Sequence, residues 1–379
     1  ACDTSAYAVI ATPSPFTVLD PTTLTFTPVS TATSPNFNPA VRLNGVGFNP
    51  LDNYMYALVS NTQGQPGYAN RDIVRVSADG SLENLGKATL AGTPANVLNT
   101  GSANNGTMDS NGNYYNLGSG TTLRVVAIGT NPTAGSLSYE EFTITGLPKN
   151  PTDISFNPID GFLYGIVNRT LYRIPPSGGA ATAIPTSGAA LPASAGGTWS
   201  TSSGISYFYK NGGNNNNLYA IDLTQAIPIV TVVGPVTANN QFDAASCTPP
   251  ELNKSQNVNT AQPGDIITYT FPLFNGFGTD VVVDFNDILT DSNLTFDTGS
   301  LSSASPGGGS LTAFNNNQLS ISGIVIPTGV GNITNSVTFT ANVTVSPTAT
   351  SSTSANQATI TYGASTITSD DPETGTIGD

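Results

Sequence analysis

The chain has 379 residues, of which 9 % are charged, with ten Lys and Arg against 24 Asp and Glu and no His. Without His there is no Ser-His-Asp or Cys-His dyad and no His-containing zinc site, and two Cys cannot build a four-thiolate one. A net charge of −14 with so few cations excludes a nucleic-acid partner, whose affinity rests on Lys and Arg at phosphates, and no apolar run approaches the roughly 20 residues that span a bilayer.

The opening Ala1-Cys2 reads as a mature end left by signal cleavage. Two Cys, a neutral surface of Thr, Ser and Asn, and the acidic balance fit an extracellular protein, where disulfides persist. Helix signals are nearly absent. The nearest, Ser138-Tyr139-Glu140-Glu141, runs straight into the strand-like Phe142-Thr143-Ile144-Thr145. Short β-branched and aromatic runs bounded by Gly, Asn, Asp and Pro recur throughout, so the chain reads as all-β.

Residues 1–247 repeat. "NPLDNYMYAL" (49–58) matches "NPIDGFLYGI" (157–166), and "DSNGNYYNL" (109–117) and "SSGISYFY" (202–209) are weaker copies. Each pairs a turn residue with a Tyr: Asn53 with Tyr56, Gly112 with Tyr115, Gly161 with Tyr164, Gly204 with Tyr207. The turn residue reverses the chain and the Tyr enters the next strand; Tyr7 fits the same place. Repeats of ~40–50 residues carrying four short strands are the signature of propeller blades. Five copies fit, and the weak ones leave room for a sixth. The odd strand "NQFDAASC" (240–247) resembles the strand preceding each Tyr submotif, which the first copy lacks. It therefore completes the N-terminal blade and closes a β-propeller of about five blades. Closure makes Cys2 and Cys247 neighbours and predicts a disulfide, against the alternatives of two unpaired thiols or a lipid on Cys2. Across so long a loop the bond is worth up to roughly 5 kcal/mol.

The linker "TPPELN" (248–253) opens a different texture over 248–379. In "NSVTFTANVTV" (335–345), Val337, Phe339, Ala341, Val343 and Val345 alternate with polar residues; in "IITYTFPL" (266–273), Ile267, Tyr269, Phe271 and Leu273 do the same. "VVVDF" (281–285) and "NQATITYG" (356–363) behave alike. Single buried faces predict an immunoglobulin-like β-sandwich, and Pro272 predicts that its strand lies at an edge. The segment after Tyr362 reads as a polar tail without an anchor of its own.

Residues 254–371 resemble a repeat domain of bacterial and archaeal surface proteins, the eleventh domain of unknown function. The motifs are "K…PGDIITYTFPLFN" (254–275), "VVVDFNDIL" (281–289), "NQATITY" (356–362) and "SDDPET" (369–374). The family's "DxLP" stands here as "DILT" (287–290), without the Pro. Residues 43–247, through "GFNPLDNYMYAL" and "LYAID", are similar to the propeller-like region that precedes such repeats in secreted bacterial proteins. The resemblance implies a non-enzymatic role outside the cell: adhesion, coat or fibre. It also implies an internal isopeptide bond. A Lys of the first strand would join an Asn of the last across a buried acid, here Lys254, Asn356 and Asp287, with Asp284 as the substitute acid.

Two further sites are candidates. Asp370, Asp371 and Asp280 lie in acidic turns that would suit a calcium ion, the one cofactor that the sequence suggests. Trp199, Tyr207 and Tyr209 form an aromatic group that would stack on a glycan. No carboxylate pair stands out for glycoside hydrolysis, so the chain is read as no enzyme. Its expected partner is itself, as a head-to-tail filament subunit at the cell surface, with a monomeric glycan-binding adhesin as the alternative.

Overall fold

A computed structural model describes residues 6–10, 16–20, 23–29, 41–98, 104–118, 121–210, 216–236, 242–328, 336–350 and 356–369. These residues are all-β apart from one short 3-10 turn at Pro306–Gly308. They fall into two compact units that divide between Thr248 and Pro249.

The described residues of the first unit form five sheets, each built on four antiparallel strands. The second sheet is Arg42–Asn49, Tyr54–Asn61, Ile73–Val76 and Leu82–Gly86 in sequence order. The third starts with Thr107–Met108 and ends with Ser138–Thr145, the fourth runs from Ser155–Asn157 to Thr182–Ile184, and the fifth from Gly197–Ser200 to Ile229–Pro235. The first sheet draws on both ends of the unit. Phe242–Ser246 pairs antiparallel with Ala6–Ile10, placing Ser246 opposite Ala6 and Ala244 opposite Ala8. Its other strands are Phe16–Asp20 and Thr25–Pro28.

The leading strands of the five sheets touch in cyclic order. Phe242–Ser246 lies against Arg42–Asn49, that against Thr107–Met108, then Ser155–Asn157, then Gly197–Ser200, which returns to Phe242–Ser246. Neighbouring sheets bury apolar faces on one another. Tyr56, Leu58 and Ile73 of the second sheet pack with Tyr114, Val126 and Tyr139 of the third. Tyr115 and Leu117 of the third pack with Leu163 and Ile174 of the fourth. Tyr164 and Ile166 of the fourth pack with Phe208 and Ile221 of the fifth. A sheet covered on both sides needs no polar face, which is why Met55-Tyr56-Ala57-Leu58-Val59 is a continuous buried run rather than an alternating one.

The repeated turn has a physical basis. Asn53, Gly112, Gly161 and Gly204 all take left-handed φ, from 61° to 93°, the region open to Gly and tolerated by Asn. The following Tyr stands third in its strand and reaches back to the turn. Tyr56 Oη donates to Asp52 Oδ2 at 2.6 Å, Tyr164 to Asp160 at 2.6 Å, and Tyr115 to Asp109 at 2.9 Å. Three of the repeats thus fix their turn with one tyrosine–carboxylate hydrogen bond.

The described residues of the second unit form two five-stranded sheets. One holds Glu251–Leu252 and Ser255–Gln256 beside Ile266–Phe274, then Ser336–Val345 and Leu294–Phe296. The other runs Ser310–Phe314, Gln318–Ile326, Val281–Ile288, Ala358–Tyr362 and Ser365–Thr368. Alternation delivers one buried face to each. Tyr269, Phe271, Phe339 and Ala341 of the first sheet and Val283, Phe285 and Ile360 of the second are buried. Phe271, Phe285 and Phe339 meet with centroids 5.0 to 5.3 Å apart, which joins the two faces.

Two expectations fail here. Pro272 does not mark an edge, because Ile266–Phe274 has strands on both sides. Asn253 N–H donates to Pro272 O at 3.0 Å, so the proline nitrogen faces the same neighbour and only the reciprocal bond is lost. The segment after Tyr362 is also anchored: Ser365–Thr368 pairs with Ala358–Tyr362, and the buried Ser369 accepts the Ala358 N–H on its Oγ at 3.0 Å. Residues 370–379 lie outside the described residues.

Candidate functional site

Lys254 is the only Lys or Arg between residue 248 and the end of the chain, and it is buried. The strand register explains why. Leu252 pairs with Leu273 and Ser255 with Thr270, so Lys254 stands opposite Phe271 and shares its inward face. Its Nζ lies 4.1 Å from the centroid of the Tyr269 ring and 5.7 Å from that of Phe271. On the facing sheet, Val281, Val283 and Phe285 point inward by alternation, and the next residue in that series is Asp287, 0 % exposed. Asp287 therefore projects a carboxylate into an otherwise apolar face.

Both oxygens of that carboxylate are used. Oδ2 contacts Lys254 Nζ at 2.9 Å, and Oδ1 accepts Asn356 Nδ2 at 2.9 Å. Asn356 precedes the strand Ala358–Tyr362, whose Ala358 is the register partner of Asp287. The three residues thus meet between the sheets, Lys254 from one and Asp287 with Asn356 from the other. Burial pushes the Lys254 ammonium down from its ordinary pKa, against the pull of Asp287. Burial also raises the Tyr269 phenol to about 12, helped by the Asp287 charge, so this ring stays neutral beside the amine. Asp284, the alternative acid, faces outward and accepts the Gly323 N–H at 2.8 Å.

The other candidate sites do not assemble. Trp199, Tyr207 and Tyr209 are 2, 5 and 0 % exposed. Trp199 stacks on Tyr207 at 5.2 Å inside the unit, so neither ring offers a face to a sugar. The repeated tyrosine is a core residue, which is what its place between two packed sheets requires. Asp280 accepts the Thr328 N–H at 2.8 Å; Asp370 and Asp371 lie outside the described residues. Among the described residues, no three His, Cys, Asp or Glu side chains cluster as metal ligands. Cys247 is buried and is not a free thiol; Cys2 lies outside the described residues.

Sequence reading missed two features. The turn aspartates Asp52, Asp109 and Asp160 were visible four to six residues before Tyr56, Tyr115 and Tyr164. The isolation of Lys254 as the sole cation of its half was also countable, and a lone lysine in a unit that gains solubility from every surface charge is a signal.

No curated protein matches the chain. Among solved structures, the full-length RrgB pilus protein from Streptococcus pneumoniae is 16 % identical over 42 % of this chain and 32 % of that one, with a TM-score of 0.23. The full-length major pilin SpaD from Corynebacterium diphtheriae is 13 % identical over 44 % of each chain, at 0.24. YCF48 bound to D1 peptide is 10 % identical over 83 % of this chain and 94 % of that one, at 0.31. The chain spans about a third of the length of RrgB and less than half that of SpaD. A family model described as Repeat of unknown function (DUF6923) matches residues 15–249, more than half of the sequence, and the chain belongs to that family.

Proposed function

We propose that this chain is a non-enzymatic structural protein of the cell exterior, a five-bladed β-propeller followed by an immunoglobulin-like sandwich that locks itself with a Lys254–Asn356 isopeptide bond. The observation that carries this reading is the closed Lys254–Asp287–Asn356 constellation. Lys254 and Asp287 are buried, and the amide they meet is the chain's own, that of Asn356. The cyclic contact of five leading strands supports the propeller, and the crossed Phe271–Phe285–Phe339 packing supports the sandwich.

The chemistry follows from the contacts. Lys254 Nζ gives one proton to Asp287 Oδ2 across 2.9 Å, leaving a neutral amine; its depressed pKa favours that transfer. The protonated acid then polarises the Asn356 carbonyl once that amide turns its oxygen inward. Nζ attacks Cγ, the Cγ–Nδ2 bond breaks, and Nδ2 departs as ammonia with a second Nζ proton. One proton remains on the new amide N–H and one on Asp287, so charge and atoms balance. After reduction of disulfides, the intact mass of the full chain should be one ammonia short, and tryptic digestion should yield a branched peptide joining Lys254 to Asn356. A full mass with no branched peptide overturns the reading.

A unit stapled from sheet to sheet suits a subunit under load, hence a head-to-tail filament, with a Cys2–Cys247 bond proposed to fasten the propeller. The glycan-adhesin alternative has lost its three aromatic residues to the core. Regular filaments should appear by electron microscopy as concentration rises and should vanish when residues 370–379 are removed. That cut spares the Ser365–Thr368 strand, so the fold should survive it. Filaments unchanged by the deletion would exclude the C-terminal segment from assembly.

A further inference from the structure

The middle of the first unit holds a carboxyl pair that the proposed function does not use. Asp153 and Asp243 are 1 % and 2 % exposed. Asp243 stands on the leading strand of the first sheet. Its Oδ2 accepts the N–H groups of Gly45 and, at 3.3 Å, Val46, on the leading strand of the second. Asp153 stands just before the leading strand of the fourth sheet. It accepts the Gly106 N–H at 3.4 Å, where the chain enters the third, and the Thr198 hydroxyl at 3.1 Å from the fifth. Its own strand adds the Ile154 N–H at 2.9 Å. Two carboxyls thus fasten all five leading strands.

The two carboxyls hold backbone that meets: Asp243 takes the Gly45 N–H and Asp153 the Gly106 N–H, and a Cβ on Gly106 would lie 2.6 Å from Gly45 O. Asp243 Oδ1 is buried and takes no N–H or O–H from any other described residue. The titratable group facing them is Tyr114, whose hydroxyl donates to Gly45 O at 2.5 Å and whose burial holds it protonated. Neither carboxyl is in an ion pair; those among the described residues are Arg75–Glu83, Arg124–Glu141 and Lys254–Asp287. Two ionised carboxylates buried so near each other, without a cation, repel strongly. A proton on the pair removes that repulsion and gives the buried Asp243 Oδ1 a use.

The geometry points to protonation of the buried pair Asp153 and Asp243 as the latch of the first unit, which closes most firmly in mildly acidic solution and loosens as the pH rises past neutral. Burial supports it, raising Asp243 to about 7 and Asp153 well above the ordinary carboxylate value, where the charge of Asp243 adds to the rise. A folded pKa above the unfolded one stabilises at low pH, and that contribution is lost as pH rises through the folded value. This is the reverse of the usual surface carboxylate.

The only Trp of the chain, Trp199, is beside Thr198 on the leading strand of the fifth sheet, so its emission reports this unit alone within the full chain. Thermal unfolding read by Trp199 should show a midpoint at about pH 5 that exceeds the one at about pH 8.5, by roughly 4 °C or more. Asp243→Asn keeps an acceptor for Gly45 and carries no charge. It should remove most of that difference and raise the midpoint at the higher pH. An infrared band of a protonated carboxyl should persist in the wild type near neutral pH and be lost in Asp243→Asn or Asp153→Asn, a readout that does not depend on the variants' stability. A wild-type midpoint that rises with pH, or no protonated band, overturns the latch. So does calcium restoring the acid midpoint at the higher pH, which would make the pair a metal site.

Discussion

Asp287→Ala should abolish the cross-link and destabilise the second unit more than any other single change in it. Two losses combine. The base that frees the Lys254 amine disappears, so the chain should keep its full mass. The Lys254 ammonium is then left in an apolar face with no partner, which for a buried ion pair costs about 3–5 kcal/mol. Three variants separate these effects. Asn356→Ala keeps the Lys254–Asp287 contact at 2.9 Å and removes only the electrophile, so its loss of stability reports the covalent bond. Lys254→Met fills the same space between Tyr269 and Phe271 without charge. It leaves Asp287 with the Asn356 hydrogen bond alone, and should be less damaging than Asp287→Ala. The double variant Lys254→Met, Asp287→Leu should recover much of the stability with no bond at all, because apolar replacements of a buried pair are often neutral or better. Hydrogen exchange along Ala358–Tyr362 measures this unit without interference from the first, and mass reports the bond. If Asp287→Ala still loses ammonia, the acid has no part in the chemistry.

Much of this site was legible because strands write their faces into the sequence. The alternation Val281, Val283, Phe285 runs on to Asp287, so an acid on the core face could be read before any coordinates. Lys254 was harder: its inward aim depends on a register with Phe271 that only the paired strand fixes. Pro272 misled because a proline nitrogen excludes one hydrogen bond, not one strand, and the neighbour here bonds to its carbonyl instead. The tail misled because Ser365–Thr368 alternates weakly and lies at a sheet edge, where polar residues are the rule. The aromatic group misled most instructively. Trp199, Tyr207 and Tyr209 look like a sugar platform when one sheet is imagined alone. Sheets packed on both faces bury them, and the run Met55 to Val59 already said as much. Nothing local announces Asp153 and Asp243. They are 90 residues apart, and only the return of Phe242–Ser246 to the first sheet brings them together.

Gly106→Ala should be the most damaging small substitution in the first unit, and the reason is space rather than backbone freedom. A Cβ on Gly106 would lie 2.6 Å from Gly45 O and 2.7 Å from Gly45 Cα, and would strike the Tyr114 hydroxyl as well. Two leading strands approach there backbone to backbone, so no side chain can rotate away to make room. Overpacking of this kind costs typically 1–3 kcal/mol and sometimes more. At the upper end that is roughly 6–12 °C in the midpoint for a unit of this size. Gly135→Ala is the control: its φ is 78°, but nothing lies within 4 Å of the added methyl, so it carries strain without collision and should cost about 1 kcal/mol. Removing the tyrosine hydroxyl in Gly106→Ala, Tyr114→Phe should not rescue the variant, because the collision with the Gly45 backbone remains. The same shift draws the Gly106 N–H away from Asp153 and Gly45 away from Asp243. The variant should therefore lose part of the acid stabilisation along with its midpoint, as read by Trp199. A Gly106→Ala protein with wild-type midpoint and wild-type pH response would mean that the leading strands stand farther apart than these contacts require, and the carboxyl latch would fall with the close approach that aligns it.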